Sequence, residues 1–269
     1  MDKILTNKGI LEKSPSVENV IYSIQAVYEV IRVVDGVPLF LNEHFDRLIH
    51  SIQFQNWKLP MNSAEFKNRI YHLIALNQRE SGNVKFEFYM SGNETNWVFR
   101  FIPHSYPTPE DYENGVPTDL LLVERENPNA KVIQNEIREK SNQLIAGQNL
   151  FEVLLVDRNR MITEGSRSNV FFVKDQIFYT APSSMILVGI TRQKVMECLK
   201  SLNYGIVEEA ISVNQLSQFD SAFLTGTSPK VLPISTIGKL SYSTKNPSVN
   251  ELIVCYNQLI FNYVRTEKE

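Results

Sequence analysis

Apolar positions change period several times along the chain, and each change marks an element. From Asn19 to Leu41 the residues are rich in Val, Ile and Tyr and broken by Asp35-Gly36, a pattern that predicts a β-hairpin. Between Asn42 and Gln55 the apolar side chains fall at Phe45, Leu48, Ile49 and Ile52, a helical spacing. Asn62 to Leu76 repeats it behind an Asn-Ser cap, so a second amphipathic helix follows. Val84–Met90 and Trp97–Ile102 read as strands around a Ser91-Gly92-Asn93 turn. Pro103 to Pro117 holds four prolines and several acids with little periodic apolar content, which is the composition of a linker.

Beyond that stretch the pattern predicts a strand at Asp119–Glu124, a helix at Asn135–Gly147, and strands at Phe151–Val156, Asn169–Val173 and Ile177–Tyr179. A helix over Thr191–Leu202 is followed by strands at Ile206–Glu209, Ala222–Thr225 and Val231–Ile234, and a helix over Ser248–Val264 closes the chain. Helices and strands mixed in both halves, with hairpin-length connections, favour an α+β architecture over a doubly wound sheet. The expected organisation is a smaller domain over 1–108, a linker over 109–117 and a larger domain over 118–269.

Composition narrows the function classes. The 27 basic and 30 acidic residues nearly balance, so no broad field draws the protein to nucleic acid or an anionic membrane, and a small-molecule partner is expected. Cys198 and Cys255 lack the spacing of a disulfide framework or zinc site, and the histidines show no metal-ligand spacing, so no metal is expected. Neither a leader-like apolar run nor a membrane-length one is visible, and the chain reads as soluble and cytoplasmic.

Three loops combine Gly, Thr and Ser in ways that packing does not require: Thr163 to Asn169, Gly189-Ile190-Thr191-Arg192, and Thr225-Gly226-Thr227-Ser228. The second opens a helix, where unpaired backbone N–H groups and the positive dipole end favour an anion such as phosphate. The third follows a strand, and Gly226 would let the backbone approach a ligand. The alternative is that Thr191 only caps its helix and Gly226 only makes a turn.

The order TEGSRSNVFFV, LVGITR, DSAFLTGTSPKVLPI, preceded by VYEVIRVVDGVPLFLNEHFDRL, resembles the fold-type IV (class IV) pyridoxal-phosphate enzymes over nearly the whole chain. These include branched-chain and D-amino-acid aminotransferases and aminodeoxychorismate lyase. The resemblance implies a two-domain D-amino-acid aminotransferase-like fold, pyridoxal 5'-phosphate bound in the larger domain, an amino-acid or keto-acid substrate, and a homodimer. It implies that Arg47, in His44 to Leu48, binds the cofactor phosphate, a role suited to its fork of donors. Ile190 and Thr191 match the helix-opening phosphate binders, Gly226 and Thr227 the second phosphate loop, and Glu164 the carboxylate that meets the pyridine nitrogen.

A pyridoxal enzyme needs a lysine that forms a Schiff base and shuttles a proton. Lys140 opens a Lys-Ser-Asn similar to the family's motif, but it stands too near Glu164 and among Glu136, Arg138 and Glu139, where a solvated surface lysine is expected. Lys131 stands at the family's separation from Glu164, with Pro128 ahead and Asn135 behind, and is the expected catalytic lysine. Tyr28 matches an aromatic that lines the substrate site, or is a core strand residue. Lys85 falls where some lyases of the family carry a basic residue, which points to a more anionic substrate, and Arg32 and Arg100 are either further carboxylate partners or plain strand-face residues. The chain departs from the family at Ile24-Gln25-Ala26, in place of a Gly-Asp-Gly-like turn, and at Gly92 to Asn96, which lack the Arg-x-His of D-amino-acid aminotransferases. The expected activity is amino-acid transamination. The alternatives are an aminodeoxychorismate lyase releasing pyruvate and 4-aminobenzoate, and a non-catalytic relative.

Overall fold

The computed structural model describes residues 2–12, 26–92 and 94–269. The expectations for residues 19–25 and for Asn93 therefore lie outside the described residues. The chain forms two compact units, one of Met1–Ser105, Ala130–Ile133 and Phe261–Glu269, the other of Tyr106–Asn129 and Gln134–Ile260.

The first unit holds strands β1 (Lys3–Thr6), β2 (Gly9–Glu12), β3 (Val27–Val34), β4 (Val37–Pro38), β5 (Gly82–Ser91) and β6 (Glu94–Ile102). They pair antiparallel in the order β2-β1-β6-β5-β3-β4. Helices α1 (Leu41–Phe54) and α2 (Ser63–Asn77) supply Leu48, Ile52, Phe66, Ile70 and Leu73 to a core shared with Ile31, Phe86, Phe88 and Phe99 of the sheet. The predicted helices match within a residue or so. Asn62 caps α2 as expected, its side chain accepting the backbone N–H of Glu65 at 2.9 Å. Along β3 the period of two buries Val27, Glu29, Ile31 and Val33 and leaves Tyr28, Val30 and Arg32 half-buried. A carboxylate thus occupies an inward register position. Val30 lies opposite Lys85 and Lys85 opposite Arg100, while Tyr28 lies opposite Glu87, so these side chains share the other face.

The second unit is built on ten strands. They are β7 (Val116–Leu122), β8 (Glu152–Val156), β9 (Met161–Gly165), β10 (Asn169–Lys174), β11 (Ile177–Thr180), β12 (Gly205–Glu208), β13 (Ile211–Ser212), β14 (Ser221–Gly226), β15 (Lys230–Ile237) and β16 (Leu240–Ser241). Their order is β12-β11-β10-β14-β15-β7-β8-β9-β13, with β16 on β15. Most pairs are antiparallel, but β7 runs parallel to both β8 and β15, and β11 to β12, giving a mixed sheet. Leu154, Val170, Phe172, Leu224, Leu232 and Ile234 centre its core.

Helices α3 (Pro109–Asn114), α4 (Asn135–Gln148), α5 (Ile190–Ser201) and α6 (Pro247–Lys268) complete the described α-helices. The proline-rich stretch read as a linker contains α3, because Thr108 and Asp111 form a reciprocal capping box and Pro109 sits at the first helical position, where proline is tolerated. Among the described residues no helix is long and apolar enough to cross a membrane.

Candidate active site

In the first unit the site grows from β3, α1 and the segment 130–133. Val132 bridges antiparallel to Val27, Tyr28 N–H donates to the Lys131 carbonyl at 3.1 Å, and Ile133 N–H donates to the Ala26 carbonyl at 3.1 Å. Lys131 N–H donates to Ser51 Oγ at 3.0 Å. The backbone of Lys131 is thus held on both sides, and its Nζ lies 4.7 Å from the centroid of the Tyr28 ring, within range of cation–π attraction. Lys85 Nζ lies 5.1 Å from the same ring. Lys85 also pairs with Glu87, and Arg100 Nε donates to the other oxygen of Glu87 at 3.0 Å. Lys131, Tyr28 and Lys85 are therefore brought together.

Arg47 lies one turn before Ser51 on α1 and is anchored from below. Its Nε donates to Glu29 Oε1 at 2.8 Å and its Nη2 to Glu29 Oε2 at 2.6 Å, a bidentate fork. His44 Nδ1 sits 2.7 Å from the same Oε2. Burial alone would raise the Glu29 carboxyl's pKa, but Arg47 and His44 beside it hold it well below the ordinary carboxylate range. Ionised, Glu29 can only accept, so the proton is on Nδ1 of His44. Burial pushes His44 below its ordinary pKa despite the pull of Glu29, and the charges of Arg47 and Lys131 push the same way. The ring is neutral near pH 7. Sequence reasoning singled out Arg47 without Glu29, whose signal was an acid at an inward position of β3.

In the second unit the three Gly/Thr/Ser loops converge on Asn169. Its Nδ2 donates to the Leu187 carbonyl at 2.9 Å and to Glu164 Oε2 at 3.4 Å, and its Cα pairs with Thr225 across β10 and β14. A Cβ added to Gly189 would meet Asn169 Oδ1 at 2.2 Å, which explains the glycine there as a close approach. Glu164 is on strand β9 rather than in a loop and is buried. Arg125 Nη1 stands 3.1 Å from its Oε1, and Leu187 N–H reaches both carboxylate oxygens at 3.3 Å. The turn after Glu164 wraps around Glu152, which accepts from Ser166 Oγ at 2.6 Å, Ser168 Oγ at 2.9 Å and Arg167 N–H at 3.1 Å.

Ile190 and Thr191 are the first two residues of α5, and the N-cap is Gly189 with no side-chain cap. Thr191 is thus not the cap, contrary to the alternative left open by the sequence, and the first-turn amides keep the positive end of a 12-residue helix uncovered by a side-chain acceptor. Gly226 ends β14 and Thr227 follows it, while Thr225 Oγ1 is buried without a hydrogen-bond partner among the described residues. Within the second unit, an orphaned hydroxyl and open helix amides are donors of the kind that fits a bound phosphate. Lys140, in contrast, is on α4 with its side chain 52% exposed and bonded to Glu136 at 2.6 Å.

An α+β chain in two units, the first with a pinned lysine and an anchored arginine, the second with a buried glutamate beside Gly- and Thr-bearing turns, is the architecture of a pyridoxal-phosphate enzyme of fold type IV. The family model for class IV amino-transferases matches residues 26–237, and the chain belongs to that pyridoxal-phosphate-dependent transaminase family. It is 29% identical to a D-alanine aminotransferase of Bacillus licheniformis, over 87% of this chain and 88% of that protein. It is 30% identical to a probable branched-chain-amino-acid aminotransferase of Thermotoga maritima, over 82% of this chain and 81% of that one. The branched-chain amino acid aminotransferase of Escherichia coli shares its fold with a TM-score of 0.83 at 21% identity, covering 96% of this chain and 94% of the other.

Proposed function

We propose that the protein is an amino-acid aminotransferase that carries pyridoxal phosphate on Lys131. The observation that carries this reading is the contrast between two lysines. Lys131 is pinned through its N–H and carbonyl and holds its amine against Tyr28, whereas Lys140 is an exposed partner of Glu136. A pinned amine suits a group that must meet one carbon of a substrate repeatedly.

In this reading Arg47, the amides of Ile190 and Thr191, and Gly226 with Thr227 take the phosphate. Glu164, held by Arg125, keeps a proton at the ring nitrogen. Bound in this way, the cofactor supplies an electron sink for charge developing at the substrate Cα. Lys131 removes the Cα proton and returns it for transfer of the amino group. Tyr28 and Lys85 border the substrate. A homodimer in the cytoplasm belongs to the same reading.

Lys85 supports a second reading. A buried ammonium beside Tyr28 suits a substrate richer in negative charge, as in an aminodeoxychorismate lyase of the same family. Borohydride reduction of the purified protein followed by peptide mapping tests the lysine: label on Lys131 is expected, and label on Lys140 overturns the assignment. Amino-group transfer that requires a keto-acid acceptor is expected. Pyruvate released from aminodeoxychorismate with no acceptor present would replace transamination with the lyase.

A further inference from the structure

Ser51 is fully buried in α1, where serine is a poorer helix residue than alanine. Its Oγ donates to the Arg47 carbonyl at 2.9 Å, a bond to the preceding turn that does little for a helix and tends to bend it. The same oxygen accepts the Lys131 backbone N–H at 3.0 Å. One atom therefore joins the residue that presents the amine to the residue that presents the guanidinium fork.

Ser141 on α4 gives the comparison within the chain. It is equally buried and its Oγ donates to the Ile137 carbonyl at 2.7 Å, and among the described residues that back-bond is its side chain's one hydrogen bond. Whatever Ser51 does beyond Ser141 is done through Lys131.

We propose that Ser51 is a positioning residue for Lys131, fixing the backbone from which the amine is presented and coupling it to the turn of α1 that carries Arg47. The inference rests on Lys131 being the cofactor lysine. On the segment 130–133 the Lys131 carbonyl accepts from Tyr28 N–H of β3, Ile133 N–H donates to the Ala26 carbonyl just before β3, and Val132 N–H closes a local bond to the Ala130 carbonyl at 3.0 Å. Ser51 ties the N–H side of the peptide before Lys131 to α1. Without an acceptor the partly buried N–H would rotate in search of one, and the Cα–Cβ direction of Lys131 would rotate with it.

The test uses the cofactor-loaded protein and three variants, Ser51→Ala, Ser51→Cys and Ser141→Ala. Cofactor retention, the pH midpoint of its visible absorption band and the thermal midpoint are measured for each. Ser51→Ala is expected to weaken retention about tenfold, equivalent to ~1.4 kcal/mol, and to move the band's pH midpoint. Ser51→Cys should fall between it and wild type, because a thiol is a weaker acceptor than a hydroxyl. Ser141→Ala should move the thermal midpoint alone. A Ser51→Ala protein with wild-type retention and band midpoint overturns the proposal, as does a Ser141→Ala protein that matches it. Should Ser51→Ala not fold, an unmoved midpoint in Ser51→Cys overturns it. Trapping of the wild-type cofactor on another lysine instead overturns the reading of Lys131 itself.

Discussion

The guanidinium of Arg47 meets the buried carboxylate of Glu29 through two parallel bonds, Nε to Oε1 at 2.8 Å and Nη2 to Oε2 at 2.6 Å. Such a fork orients the arginine before any ligand arrives, and it leaves one ion strongly dependent on the other. Removing the charge of Glu29 leaves Arg47 and His44 in a low-dielectric site with no anion. Glu29→Gln is therefore expected to lower unfolding stability by ~3–5 kcal/mol, read from the urea midpoint. A loss under ~1 kcal/mol would mean that the pair contributes no more than an exposed one.

The same cluster predicts the direction of acid sensitivity. His44 is pushed below its ordinary 6.5 by burial, so the unfolded chain binds the proton first, and stability falls as pH drops below about 6.5. Glu29 is held below its ordinary 4.5 in spite of burial, by Arg47 and His44, so its contribution is present above that pH and is lost as pH falls further toward the depressed value. Acid destabilisation should therefore come in two stages. His44→Gln should remove the first and keep the second. Unfolding midpoints across pH 3 to 8, wild type against variant, check this, and identical pH profiles would refute it.

Gly189 and Asn169 form a pair whose energetics should be non-additive. A Cβ at position 189 would lie 2.2 Å from Asn169 Oδ1, so Gly189→Ala must displace the side chain that ties Leu187 to Glu164. The expected loss is ~1–3 kcal/mol, with weakened cofactor retention. Adding Asn169→Ala removes the clash, so the double variant should be more stable than the sum of the two single losses predicts, by ~0.5 kcal/mol or more. Strict additivity in a double-mutant cycle would show that the close approach is relieved elsewhere.

Periodicity made α1, α2, α4, α5 and α6 and most strands legible, because each presents one apolar face over a long enough run. Short elements escaped it. β1 and β2 are four residues each, too few for a pattern to repeat. β9 was hidden because Thr163-Glu164-Gly165 reads as a turn until Glu152 and Asn169 are seen to surround it. The candidate site followed the same rule. Residues with a distinctive type in a distinctive loop, such as Glu164, Thr191 and Gly226, could be named in advance from resemblance. Their supports could not. Glu29, Ser51, Arg125 and Glu152 act through partners far away in the chain, and no local pattern encodes a contact such as Ser51 with Lys131.

Lys85 offers the sharpest test of substrate choice. It shares the Tyr28 ring with Lys131 and is buried against Glu87, which also takes Arg100. A compact ammonium in that position attracts an acidic group on a substrate but gives nothing to an aliphatic one, so removing it should act on binding of acidic substrates selectively. Lys85→Met retains most of the volume and leaves Glu87 paired with Arg100, which limits the damage to folding. KM for an amino acid with a second carboxylate is expected to rise ~10- to 100-fold, corresponding to a charged hydrogen bond of ~1.5–3 kcal/mol, with kcat little changed. KM for leucine should move less than about twofold by the same argument of uniform binding. Lys85→Arg should not restore the acidic substrate, because a planar fork on a longer reach cannot replace a point charge in a closed site. Equal losses for the acidic and the aliphatic substrate would assign Lys85 to the scaffold of the sheet rather than to specificity.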